Sequence, residues 1–232
     1  MIKKRPDHTL ARFMRRTVAA QLHLITAFAA ILGLFYLVPQ AEASGPWHLW
    51  SSVIFGVTAI LVFGISATYH FLHDGCHITP ALTEFMEKLD QWAIYLFIAG
   101  TYTPFLINIV ASPWKEILMI AIWVMALAGI LYTAFRHRFP KWAQSRVIYT
   151  SVFLLMGWTL FVRIGEISEK MPPTPRDLLL AGAAAYSIGA IVYITKRPRL
   201  FEGLFGFHEL WHVFVTVGFL CHYAMVLSFY AH

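Results

Sequence analysis

Residues 114–135 read WKEILMIAIWVMALAGILYTAF. After Glu116 the run carries no charge, and its apolar residues are continuous rather than alternating. A hydrocarbon layer about 30 Å thick takes about 20 helical residues to cross, so this stretch is long enough to span it once. A membrane strand would need alternation, which is missing here. Six further segments share the pattern, at 17–38, 47–71, 89–110, 146–165, 177–195 and 204–229. The connections are short, and Met171 to Pro175 (MPPTP) reads as a proline-rich turn. The predicted fold class is all-α: a seven-transmembrane helix bundle, one domain over 1–232, with a basic segment at 1–16.

Composition leads to the same class. The 232-residue chain is 59% hydrophobic and 13% charged, against roughly 25% charged in an ordinary soluble domain. That excludes a soluble enzyme, a secreted disulfide scaffold and a disordered tail. The net charge of +6 lies in loops, so it predicts no nucleic-acid partner; the partner is the lipid bilayer. Numbering the connections in order, the face holding the N-terminus and the second, fourth and sixth carries 14 of the 18 Lys and Arg residues. Basic residues favour the cytoplasmic side, which predicts a cytoplasmic N-terminus, an outer C-terminus and a multi-pass protein of the inner (plasma) membrane.

The basic start and the triplet Ala41-Glu42-Ala43 imitate a secretory signal. A signal's apolar stretch is about 7–15 residues long, and this one is longer, which predicts a retained first helix. Cys76 in a polar loop and Cys221 in an apolar run have no C-x-x-C spacing, so no disulfide or zinc ribbon is expected.

Ionisable groups at membrane depth are costly and mark function. The second span ends Ser66-Ala67-Thr68-Tyr69-His70, the third opens Leu89-Asp90-Gln91-Trp92, and the seventh begins Phe207-His208-Glu209-Leu210-Trp211-His212. Ser66 and His70 are four apart and share a helix face, as do His208 and His212. The alternating topology puts His70, Asp90, His208 and His212 in one cytoplasm-side layer. Three imidazoles with a carboxylate or water make the inventory of a catalytic zinc site, although imidazole also suits iron, copper and nickel. Ser66 is placed to orient a ligand or a water.

Competing readings remain at this stage. The histidines could satisfy one another in a polar bundle centre. His208-Glu209-Leu210-Trp211-His212 also matches H-E-x-x-H, where the Glu would be the base of an intramembrane protease with Asp90 as third ligand. Trp211 within that motif, and the third histidine at matching depth, weigh against it. His23 and His222 lie within spans at depths that do not match the site. His73, His77 and His137 read as loop residues, and His8, His48 and His232 as terminal or interfacial ones. Thr101-Tyr102-Thr103-Pro104 predicts a kink whose freed carbonyl Thr103 could satisfy. Trp47, Trp50, Trp114 and Trp142 read as interfacial belts.

The segments SATYH (66–70), LDQWAIYLFIAGTYTPF (89–105), RVIYTSVFLLMGW (146–158) and HELWHVFV (208–215) together resemble the progestin and adipoQ receptor family, and most closely its bacterial haemolysin III branch. The resemblance covers most of the chain in the family's order. It implies seven helices and a cytoplasmic N-terminus. It also implies a Zn2+ near the cytoplasmic face on positions matching His70, His208 and His212, with Asp90 holding a water there and Ser66 beside it. Relatives in the superfamily are linked to hydrolysis of ceramide-like lipid amides, and the bacterial branch to membrane homeostasis. Two features depart from the pattern. Gln91 stands where the branch usually has His, and the first helix offers only His23 near Gln21 where Glu, Asn and His are common.

The function expected is therefore zinc-dependent hydrolysis of a lipid amide, with Asp90 and Ser66 as catalytic candidates and a lipid or fatty-acyl substrate. The alternative is a non-enzymatic membrane regulator clamped by zinc, with Asp90 as fourth ligand. A cytolytic pore, suggested by the family name, lacks a charge-lined helix face, and a transporter lacks a proton-relay ladder across the bilayer.

Overall fold

The computed structural model describes residues 18–76, 78–198, 200 and 205–230. The basic segment 1–16, His8, His77, Leu204 at the start of the seventh predicted span, and His232 lie outside the described residues. Among the described residues are seven helices long and apolar enough to cross a membrane. They are α1 (Val18–Ala43), α2 (Pro46–Gly75), α3 (Pro80–Ile109), α4 (Trp114–Phe135), α5 (Arg146–Lys170), α6 (Pro173–Thr195) and α7 (Phe207–Ser228). In lipid every backbone polar group must be satisfied within the protein, which is why apolar runs of this length become helices.

The helix ends differ from the predicted spans for local reasons. α1 runs through Pro39 to Ala43, so the Ala41-Glu42-Ala43 triplet forms its last turn, with Ala41 wholly buried. α3 begins nine residues before the predicted apolar span. Thr79 caps it by accepting the Leu82 N–H at 3.3 Å, and Pro80 takes the first helical position, where its missing N–H costs nothing. This added stretch is charged and tied down by Lys88–Glu84 at 2.7 Å and Arg136–Glu87 at 3.0 Å, so its apolar content is too low to be read as a span. The predicted turn 171–175 is shorter than expected, because α6 already starts at Pro173.

α5 is regular over Arg146–Trp158, tightens to a 3-10 stretch at Thr159–Arg163 and resumes at Ile164–Lys170. The cause is Tyr102 of α3. Its hydroxyl oxygen accepts the Leu160 N–H at 3.0 Å, and its proton is shared between the carbonyls of Met156 and Gly157, each at 2.8 Å. A side chain set into the i→i−4 ladder breaks its regularity, and here it pairs the three backbone groups it meets. The expectation for Thr103 is corrected: its hydroxyl donates to Ala99 O at 2.9 Å, not to the Gly100 carbonyl that Pro104 leaves free, and it accepts the Trp123 indole N–H at 3.3 Å. α3 nonetheless continues unbroken through Pro104.

The helices form a ring in chain order, closed by α7 against α1, and α3 is the most enclosed of them. Phe55 and Phe63 of α2, Phe97 of α3 and Phe219 of α7 meet at ring-centroid distances of 5.1 to 6.4 Å. Water gives no drive to bring helices together in lipid, so van der Waals packing of this kind joins the three. At one end of the bundle, Ser52 and Asn108 both donate to the Tyr230 hydroxyl, at 3.2 and 3.1 Å. Outward faces stay apolar and exposed. Ile120, Val124, Leu127 and Leu131 make such a stripe along α4, which suits contact with lipid. Trp47, Trp50 and Trp142 are exposed near helix ends, as expected of belts. Cys76 and Cys221 are both free.

Candidate metal centre

Three helices deliver polar groups to one layer at a single end of the bundle. His70 comes from the last turns of α2, Asp90 from the first third of α3, and His208 and His212 from the first two turns of α7. The 1.5 Å rise per residue and the antiparallel run of α2 against its neighbours bring these positions level. Short connections at this end hold Arg136, Arg138, Lys141, Lys196 and Arg197, and the adjoining helix ends carry Lys88 and Arg146.

The three imidazoles converge. His208 Nε2 lies 3.0 Å from His212 Nε2 and 3.4 Å from His70 Nε2, and one ligand atom from each residue falls within 4.8 Å of the others. Two nitrogens bound tetrahedrally at 2.0–2.1 Å from zinc stand about 3.3 Å apart, so this spacing fits a single metal ion. The outward nitrogens fit as well, since a ligating histidine usually gives its second nitrogen to another partner. His70 Nδ1 faces Asp74 Oδ2 at 3.4 Å, and His212 Nδ1 faces His23 Nε2 at 2.8 Å. His70 and His212 are buried, and His208 is half-buried against Tyr193 of α6. The group can hold a metal ion.

Asp90 lies near Ser66 and His70. It stands outside the three-histidine group. Ser66, Asp90, His23 and His212 border a cavity of about 130 Å³ whose other walls are mostly apolar, among them Phe97, Phe153 and Val215. A polar corner on an apolar hollow inside the bundle is the usual form of a ligand site.

Two residues outside the sequence-based site prove to be part of it. His23 is set aside by depth in the sequence reading, yet it lies five residues into α1, as His212 lies five residues into α7, and the two rings meet at 4.0 Å. Asp74 carries a legible signal, four residues after His70 on the same face of α2. His73 is bonded to Asp74 at 2.8 Å, within α2 rather than in a loop. His137 sits in the short turn after α4, and His222 lies well away from the three imidazoles along α7. The protease reading of H-E-x-x-H fails on geometry. Glu209 turns back to the helix start, where its Oε2 accepts the Gly206 N–H at 2.8 Å, so it is a cap and not a base facing the histidines.

The same chain is similar to known proteins over nearly its whole length. The model of the "Haemolysin-III related" family matches residues 12–223. "Hemolysin-3" of Bacillus cereus is 33% identical over 212 residues, covering 90% of this chain and 89% of the relative. "Hemolysin-3 homolog" of Bacillus subtilis (strain 168) is 32% identical over 196 residues, 84% of each chain. The human "Monocyte to macrophage differentiation factor" is 22% identical over 204 residues, covering 84% of this chain and 80% of the relative. Seven spanning helices, three converging imidazoles and these matches together place the protein in the haemolysin III branch of the progestin and adipoQ receptor family.

Proposed function

We propose that this protein is a zinc-dependent hydrolase of lipid amides, acting from the cytoplasmic side of the inner membrane. The observation that supports it most is the pairing of a three-nitrogen centre, with no fourth His, Cys or carboxylate donor in its group among the described residues, with an apolar cavity bordered by His212, Asp90 and Ser66. A structural zinc site closes with four protein ligands, whereas a catalytic one keeps a position open. When bound there, zinc supplies Lewis acidity, polarising a carbonyl oxygen and lowering the pKa of a water to about 7.

The chain's residues account for the rest. The apolar walls take the acyl chain and exclude bulk water from the reacting carbonyl. Asp90 accepts the proton of the attacking water and returns it to the leaving amine nitrogen, as a general base and then a general acid. Ser66 holds the Asp90 carboxylate in place. His23 and Asp74 fix the rings of His212 and His70 through their outward nitrogens. The basic residues at this end support its placement on the cytoplasmic side.

The test is turnover of a fluorescent ceramide in mixed micelles by the purified protein and by Asp90→Asn. The reading expects amide cleavage by the wild type and a fall of about 10²- to 10⁴-fold in kcat for the variant, with metal content retained. Metal-loaded wild-type protein that cleaves no lipid amide or ester would contradict it and leave the zinc as a helix clamp.

A further inference from the structure

A second polar pair lies in the same cavity, far from the metal centre. His222 is ten residues beyond His212 on α7, about 15 Å along the helix axis, and both line the cavity, as does Tyr186 of α6. His222 is 8% exposed. Its Nε2 meets the Leu179 carbonyl at 3.3 Å, while its Nδ1 is buried with no hydrogen-bond partner among the described residues. The Tyr186 hydroxyl is likewise buried and unpartnered. The two rings stand edge to face at 5.4 Å without bonding to each other, and the Cys221 thiol near Tyr186 does not bond to its hydroxyl.

The backbone is shaped around these two side chains. A Cβ at Gly182 of α6 would come 2.3 Å from the His222 ring, and one at Gly218 of α7 would come 2.6 Å from the Tyr186 ring. Each helix thus carries a glycine where the other places its polar ring. Leaving buried polar atoms without partners is costly in a protein, so two together on side chains that line an apolar cavity call for a ligand group.

The chemistry of that group follows from the atoms on offer. With Nε2–H donating to Leu179 O, Nδ1 is an acceptor, and the tyrosine hydroxyl supplies a donor. A single alcohol matches both, donating to Nδ1 and accepting from Tyr186. We propose that His222 and Tyr186 form a hydroxyl-recognition subsite, which selects lipids bearing an alcohol on the acyl chain about 15 Å from the end held at the metal centre. The proposal rests on the reading of the cavity as an acyl-chain site.

The experiment measures binding of palmitate, and of hydroxypalmitates differing only in the position of the alcohol, to the detergent-purified full chain. One position is expected to bind about tenfold more tightly than palmitate, the equivalent of one net hydrogen-bond interaction of about 1.4 kcal/mol. That ratio is expected to fall to about one in Tyr186→Phe, which removes a single oxygen, and in His222→Leu. Palmitate binding with no preference at any position in the wild type would overturn the subsite and leave the acyl reading standing. A preference that survives in both variants would also overturn it. Binding of none of the acids would overturn the subsite and the acyl reading together.

Discussion

At the scale of single residues, the centre works through pairs of nitrogens. His70 and His212 each turn Nε2 inward and Nδ1 to a partner, Asp74 or His23. Partners of this kind fix ring orientation, and losing one typically costs 10- to 100-fold in metal affinity. His23→Ala and Asp74→Asn are each expected to weaken zinc binding by about that factor in a competition titration with a chromophoric chelator. Affinities equal to the wild type in both would remove them from the centre. Legibility at this scale was uneven. His70, His208 and His212 could be read because regular helix spacing and alternating topology fix depth without knowledge of packing. The same reckoning reaches His23, five residues into α1 as His212 is into α7, so setting it aside on depth is an error; only the face of α1 that meets α7 depends on packing that the sequence does not reveal. Glu209 misleads for the opposite reason, since its motif is satisfied in letters while its side chain serves the backbone.

At the scale of elements, the seven spans were legible because a bilayer admits few alternatives, but their ends and irregularities depend on single hydrogen bonds. The break in α5 follows from Tyr102, 58 residues away from Leu160 in sequence, and nothing in the α5 sequence announces it. Tyr102→Phe strips the acceptor from the Leu160 N–H and the donor from the Met156 and Gly157 carbonyls. The expected cost is about 1–3 kcal/mol of unfolding free energy, read by denaturant titration in detergent micelles. An unchanged midpoint would show that the 3-10 stretch forms without that hydroxyl. The start of α3 shows the same limit, since its charged first turns belong to the helix but not to the apolar signal.

At the scale of the whole molecule, the basic connections and the three imidazoles occupy the same end of the ring. Cys76 lies at this end, exposed after α2, while Cys221 is half-buried within α7. Charge asymmetry predicts that Cys76 faces the cytoplasm. A membrane-impermeant maleimide should then label Cys76 in inverted vesicles and spare it in intact cells; the reverse pattern would put the centre outside. The central claim is that the imidazoles of α2 and α7 hold a metal ion, and metal analysis of the detergent-purified protein beside His70→Ala and His208→Ala tests it most directly. The account predicts about one zinc per chain in the wild type and loss of it in both variants. Folded wild-type protein without metal would contradict it, and the histidines would then be a hydrogen-bonded packing network.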